Sequence, residues 1–166
     1  KREYWDNGKL KSETHYKDGK PDGLEIDWSK DGNKIFEATN KNGKREGTAR
    51  SWHEDGRRKK VGNYKDGKVH GFLTSWDKSG KMWEKDHYIN DELDGVSITW
   101  YSNGQKLSED HYKNGKYDGV SKYWYRNGQN MSEYHYRNGK KNGLGIEWSK
   151  DGTIKFEGTF VDGVQR

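Results

Sequence analysis

Six tryptophans, Trp28, Trp52, Trp76, Trp100, Trp124 and Trp148, stand 24 residues apart without a slip. Each follows the second of two glycines that are themselves four residues apart. These pairs are Gly19/Gly23, Gly43/Gly47, Gly67/Gly71, Gly115/Gly119 and Gly139/Gly143, with Gly95 alone in the fourth unit, where Asp91 replaces the first glycine. Tyrosines Tyr16, Tyr64, Tyr88, Tyr112 and Tyr136 precede the turns at the same period, with Asn40 in the second unit. A second glycine series (Gly8, Gly32, Gly56, Gly80, Gly104, Gly128, Gly152) closes every unit. Self-similarity at this spacing identifies a repeat architecture, in which each unit buries its faces against its neighbours.

Within a unit the apolar residues alternate at period two. Leu24-Glu25-Ile26-Asp27-Trp28 is a half-buried strand, bounded by clusters rich in turn formers. Asn-Gly and Asp-Gly between strand patterns are strong hairpin signals. The expected fold is therefore all-β: an elongated, single-layer antiparallel meander of about seven 24-residue hairpins over residues 1–166. Fourteen strands at ~4.8 Å spacing would extend roughly 60 Å. A five-residue loop over Asp18–Asp22 would place Tyr16 opposite Leu24, and a three-residue loop, Lys30-Asp31-Gly32, would keep successive units facing the same way. On that register Tyr16, Leu24, Ile26 and Trp28 share a covered face, with Glu13, His15, Glu25 and Asp27 opposite. Tyr16, Trp28, Trp52, Tyr64, Trp76, Tyr88, Trp100, Tyr112, Trp124, Tyr136 and Trp148 then form one structural aromatic column, with Trp5 and Trp83 outside it.

Composition agrees with a repeat array better than with a two-layer globule. Hydrophobic residues are 27% of the chain and charged residues 36%, a balance that in an unpatterned chain signals disorder. Cysteine is absent, which excludes disulfides and thiolate metal sites. The net charge of +5 favours solubility and a weak attraction to polyanions. No run approaches the length of apolar chain that spans a bilayer as a helix. The chain opens at Lys1 and stops at Arg166, both in mid-repeat, which reads as a piece of a longer protein or the mature part of an exported one. A bacterial cytoplasmic or exported location both remain open.

Catalytic, cofactor and metal chemistry finds no support in the pattern. The glycines sit singly rather than in a phosphate-binding loop. His15, His87, His111 and His135 fall in one column, but equivalent residues of adjacent units lie roughly 10 Å apart, too far to share an ion. Hydrogen bonding is the better reading for them. Glu109 and Glu133 are similarly separated, and a single-layer sheet offers little concavity to activate them. No catalytic, cofactor-binding or metal residue is expected.

Binding is the remaining class. Lys44, Arg45, Lys68, Lys116, Tyr117, Lys140 and Lys141 occupy the variable turn positions and are the candidate partner contacts. Together with Lys20 they also line a basic edge, but Ile89–Asp94 interrupts it with three uncompensated negative charges. A protein partner is therefore preferred over an anionic membrane surface or a nucleic acid. A structural spacer and end-to-end self-association are further possibilities, since sheet ends expose unpaired strands.

The units resemble the MORN repeat, whose pattern of an aromatic, two residues, Gly, three residues and Gly appears as Tyr64…Gly67…Gly71 and Tyr112…Gly115…Gly119. They are closer still to its bacterial variant, in Asn7-Gly-Lys-Leu-Lys-Ser-Glu13 and Asn103-Gly-Gln-Lys-Leu-Ser-Glu109. The pattern departs at Asn40 and Asp91, and at Val61 and Lys85, where the signature glutamate is missing. The resemblance implies a hairpin scaffold with no catalytic residues. It also implies kinship with the YwqK-like antitoxin family, whose partners are toxins.

Overall fold

Two turn types alternate along the chain, and each is written in its residues. The computed structural model describes residues 1–166. Asp18-Gly19, Asn42-Gly43, Asp66-Gly67, Asn114-Gly115, Asn138-Gly139 and Asp162-Gly163 have positive φ at both positions, as does Asn90-Asp91. That makes them two-residue type I′ turns, which suit Asn or Asp followed by Gly. Asp91 shows that a carboxylate side chain can take the glycine's place, at φ 73°. The other turn is the expected three-residue loop. At Lys30-Asp31-Gly32 the Ser29 N–H donates to the Asn33 carbonyl, and the Gly32 N–H donates back to the Ser29 carbonyl. The same pair of bonds closes the loops after Trp5, His53, Asp77, Tyr101, Tyr125 and Ser149.

The chain divides into two compact units, residues Lys1–Lys81 and Met82–Arg166. In the first, β1 (Arg2–Tyr4), β2 (Leu10–Lys17), β3 (Lys20–Trp28), β4 (Lys34–Lys41), β5 (Lys44–Arg45), β6 (Gly47–Trp52), β7 (Arg58–Lys65) and β8 (Lys68–Trp76) pair antiparallel with their sequence neighbours. The second repeats the plan with β9 (Met82–Ile89), β10 (Glu92–Trp100), β11 (Lys106–Lys113), β12 (Lys116–Tyr117), β13 (Gly119–Trp124), β14 (Asn130–Arg137), β15 (Lys140–Trp148), β16 (Ile154–Val161) and β17 (Val164–Gln165). There is no helix. The fold is all-β, an antiparallel meander of hairpin repeats.

The register corrects the expected faces. Tyr16 pairs with Pro21, not Leu24, and Thr14 then pairs with Glu25, so His15 faces a bulge of three residues, Asp22-Gly23-Leu24. Gly23 takes φ +108° there, and a Cβ would stand 3.1 Å from that of His15. Gly71, Gly95, Gly119 and Gly143 are thus bulge glycines within the hairpin arm rather than loop residues; their φ values span 104° to 118°. Directly paired residues share a face. Tyr16 therefore lies with Thr14, Glu25 and Asp27, while Ile26 and Trp28 lie opposite, with Glu13. The single aromatic column resolves into two, tyrosines on one face and tryptophans on the other. Trp5 stands one residue past the tryptophan position, which Tyr4 fills.

The tyrosine face is the covered one. Nearly all the most buried side chains lie on it: Ala38, Asn40 and Ala49, with Ser75, in the first unit, and Asp86, Ser108, Asp110 and Ser121 in the second. Its central cross-strand pairs match in size or chemistry. Gly62 faces Leu73, Asp86 faces Ser97, and Tyr134 faces Gly145. A Cβ on Gly62 would stand 2.4 Å from Leu73, and one on Gly145 2.5 Å from the Tyr134 ring. These strand glycines, with Gly158, differ from the turn and bulge glycines in having no positive φ. Tyrosine rings roof the small residues, so one sheet layer buries its own face.

Candidate binding surface

The covered face holds the groups most altered by burial, and each has a partner. Ser97 donates to Asp86 at 2.6 Å, and Ser121 donates to Asp110. Burial pushes the Asp110 carboxyl up, against hydrogen bonds from Ser121, Ser108 and Tyr123 that hold it down. Burial likewise raises the phenols of Tyr88, Tyr112, Tyr123, Tyr134 and Tyr136 above the ordinary range. Each buried carboxylate lies against tyrosine and serine. These groups fix the strand pairing.

The histidine column is also accounted for. In four hairpins the histidine paired with the bulge bonds a carbonyl within it. Nδ1–H of His15 donates to Leu24, that of His111 to Val120 and that of His135 to Leu144, at 2.8–3.0 Å. His87 instead bonds the carbonyl of Asp94, the residue before the bulge glycine Gly95. A carbonyl only accepts, so the proton sits on Nδ1.

Several predicted contacts turn inward. Tyr117 stacks between Tyr112 and Tyr136, at 4.5 and 5.0 Å between centroids. The Arg45 guanidinium lies 4.7 Å from the Phe36 ring and 5.6 Å from that of Tyr64. Lys141 stands 3.2 Å over Tyr134. This turn position fills the gap between successive tyrosines, so its half-buried residues belong to the covered face. Lys44, Lys68, Lys116 and Lys140 remain exposed at the turn tips. In the second unit Lys113, Lys116 and Arg137 line one groove between tips, and Arg137 and Lys140 line another. The acidic residue before the bulge glycine is structural as well: Asp22, Asp94 and Asp118 accept the backbone N–H of Asn42, Asn114 and Asn138 in the next turn.

The tryptophan face meets solvent. Its indoles are half-buried and alternate with residues of the following strand, Lys34 opposite Trp28, Arg58 opposite Trp52 and Lys106 opposite Trp100. Lys34 lies 5.7 Å from the Trp52 ring and Lys106 lies 5.6 Å from that of Trp124. A ladder of charge runs beside them: Lys34–Glu37 at 2.6 Å, Lys106–Glu109 at 2.5 Å and Lys122–Glu133 at 3.1 Å. Leu24 and Phe72 in the first unit, and Leu144 in the second, expose about 40% of their surface on the far side of this ladder. At four places the residue after the tryptophan position adds a stitch that spacing alone did not disclose. Trp5 donates to the Trp28 carbonyl, Tyr101 to that of Trp124 and Tyr125 to that of Trp148, at 2.8–3.0 Å. His53 Nε2 lies 3.1 Å from the Trp76 carbonyl.

This geometry agrees with the comparisons to known families. A family described as "Uncharacterised protein" has a model that matches residues 64–156, more than half of the chain. The chain belongs to that family. The MORN repeat variant matches residues 1–18 and 45–66, segments that carry the Asn7–Glu13 signature and the Gly47, Trp52, Tyr64 spacing. Repeats of that type are generally non-catalytic binding modules. A search of the curated proteins finds no match. No helix is long and apolar enough to cross a membrane.

Proposed function

We propose that the chain is a non-catalytic repeat scaffold that binds another protein through its tryptophan faces, and that this partner is a toxin it neutralises. The observation that carries the scaffold reading is the exposed apolar surface at Leu24 and Phe72 in one unit and Leu144 in the other, with paired charges beside Leu24 and Leu144. An apolar centre with a polar rim is the anatomy of a protein interface. The toxin follows from the resemblance of Asn7–Glu13 and Asn103–Glu109 to the antitoxin family. The test is co-expression with the product of a neighbouring reading frame that arrests growth. The wild-type chain should relieve the arrest, and folded variants Phe72→Asp and Leu144→Asp should not. Arrest that the wild type leaves untouched would refute the antitoxin role.

A second reading, an adaptor for anionic membrane surfaces, draws on the two basic grooves lined by Lys113, Lys116, Arg137 and Lys140. Sedimentation with phosphatidylserine vesicles should then fall steeply with salt.

A further inference from the structure

One hairpin of the first unit breaks the charge ladder, and the break leaves cations facing a groove. Where a cation stands opposite a tryptophan, the residue three further on is its carboxylate partner: Lys34 with Glu37, and Lys106 with Glu109. Arg58 occupies the same position opposite Trp52, but three residues on stands Val61. The same exchange affects Arg50. It pairs across the strands with Val61, whereas its counterpart Lys122 pairs with Glu133. Arg50 reaches only Glu37, at 3.6 Å, and that carboxylate is already held by Lys34 at 2.6 Å. Arg58 is exposed and has no carboxylate partner at all. Arg50, Ser51, Trp52, Arg58 and Val61 line one groove.

We propose that this groove docks a carboxylate from an extended, acidic segment of a partner protein, which occupies the place the chain's own glutamate holds in other hairpins. The inference rests on the scaffold reading and specifies the chemistry of its partner. Two guanidiniums flank the site, and Val61 and Trp52 supply an apolar floor for the methylenes of a glutamate and for a neighbouring apolar side chain. Planar guanidinium groups favour a carboxylate in paired hydrogen bonds. A nucleic acid backbone fits less well. The adjoining groove, which shares Ser51 and Trp52, is lined by Glu54 and Asp55 as well as Lys59 and Lys78, so a run of phosphates would meet carboxylates there.

The test uses fluorescence anisotropy of a short labelled peptide alternating glutamate and valine, a glutamine counterpart, and an oligo-deoxythymidine of equal length. The full chain should bind the glutamate peptide in preference to both. Val61→Glu restores the ladder internally and should weaken that binding by roughly tenfold or more, as should Arg58→Gln. Val61→Glu should melt no lower than wild type, because Glu13, Glu109 and Glu133 show that the position accepts glutamate. Equal binding of the glutamine peptide, undiminished binding to Val61→Glu, or failure of the glutamate peptide to bind overturns the proposal. Preference for the oligonucleotide overturns it in favour of nucleic acid. Failure of the scaffold reading shows separately, in the co-expression experiment on Phe72 and Leu144.

Discussion

Gly145→Ala measures how the covered face is packed. The Cβ it adds would stand 2.5 Å from two ring carbons of Tyr134 and 2.9 Å from the ring of Phe160. Tyr134 has little freedom to retreat. Its hydroxyl donates to Glu147 at 2.5 Å, the Lys141 ammonium lies 3.2 Å over its ring, and Phe160 packs edge-on at 5.8 Å. Overpacking of this kind costs about 1–3 kcal/mol, and replacing glycine returns about 0.4–1 kcal/mol through the unfolded chain. A net loss of about 1–2 kcal/mol should lower Tm by roughly 2–8 °C in a chain of this size. The decisive assay is the double-mutant cycle with Tyr134→Ser, followed by circular dichroism melts. Removing the ring leaves only the 2.9 Å approach to Phe160, so Gly145→Ala should cost markedly less in that background. An equal drop in Tm with and without Tyr134 would refute the size-matching argument.

Three further outcomes follow from the same geometry. Gly119→Ala should destabilise by about 1–3 kcal/mol, and His111→Gly should not rescue it, because φ +118° persists after the 3.1 Å contact with the His111 Cβ is gone; urea titration of the single and double variants reads this. Asp110 has its folded pKa raised by burial, so its contribution to stability is full below the ordinary carboxylate pKa and is lost as pH rises through the raised value; Asp110→Asn should abolish that loss in melts across the acidic range. Trp100, half-buried beside Lys106, should cost about 2–4 kcal/mol when changed to alanine, whereas Trp83, 44% exposed, should cost under about 1 kcal/mol, and equal shifts in Tm would contradict the column.

Legibility in the sequence tracked how local the determining physics was. The 24-residue period, the neighbourhood of each turn and the three-residue loop were readable, because positive φ at Asn-Gly, Asp-Gly and the closing glycines is a demand made by single residues; the five-residue loop expected over Asp18–Asp22 is instead a two-residue turn and a bulge. The inward turn of Arg45, Tyr117 and Lys141 was not readable, because it depends on aromatic rings of neighbouring strands, among them Tyr64, Tyr136 and Phe160, about 19 residues further along the chain. Val61 was visible as a departure from the signature. That it leaves Arg58 without a carboxylate, and Arg50 with one shared with Lys34, appears only once β6 and β7 are in register.

The sequence by itself thus determined an all-β hairpin array with a 24-residue period. Only the tertiary structure decided which face is covered. The stretch Asp18–Gly23 admits either a five-residue loop or a two-residue turn followed by a bulge, and both use the same turn-forming residues. The two differ by one residue in register, and side chains alternate faces along a strand, so that single step carries Ile26 and Trp28 from the side of Tyr16 to the opposite one. What selects the step is close packing, with His15 under Gly23 and tyrosines over alanine, serine and glycine, and those contacts exist only between strands.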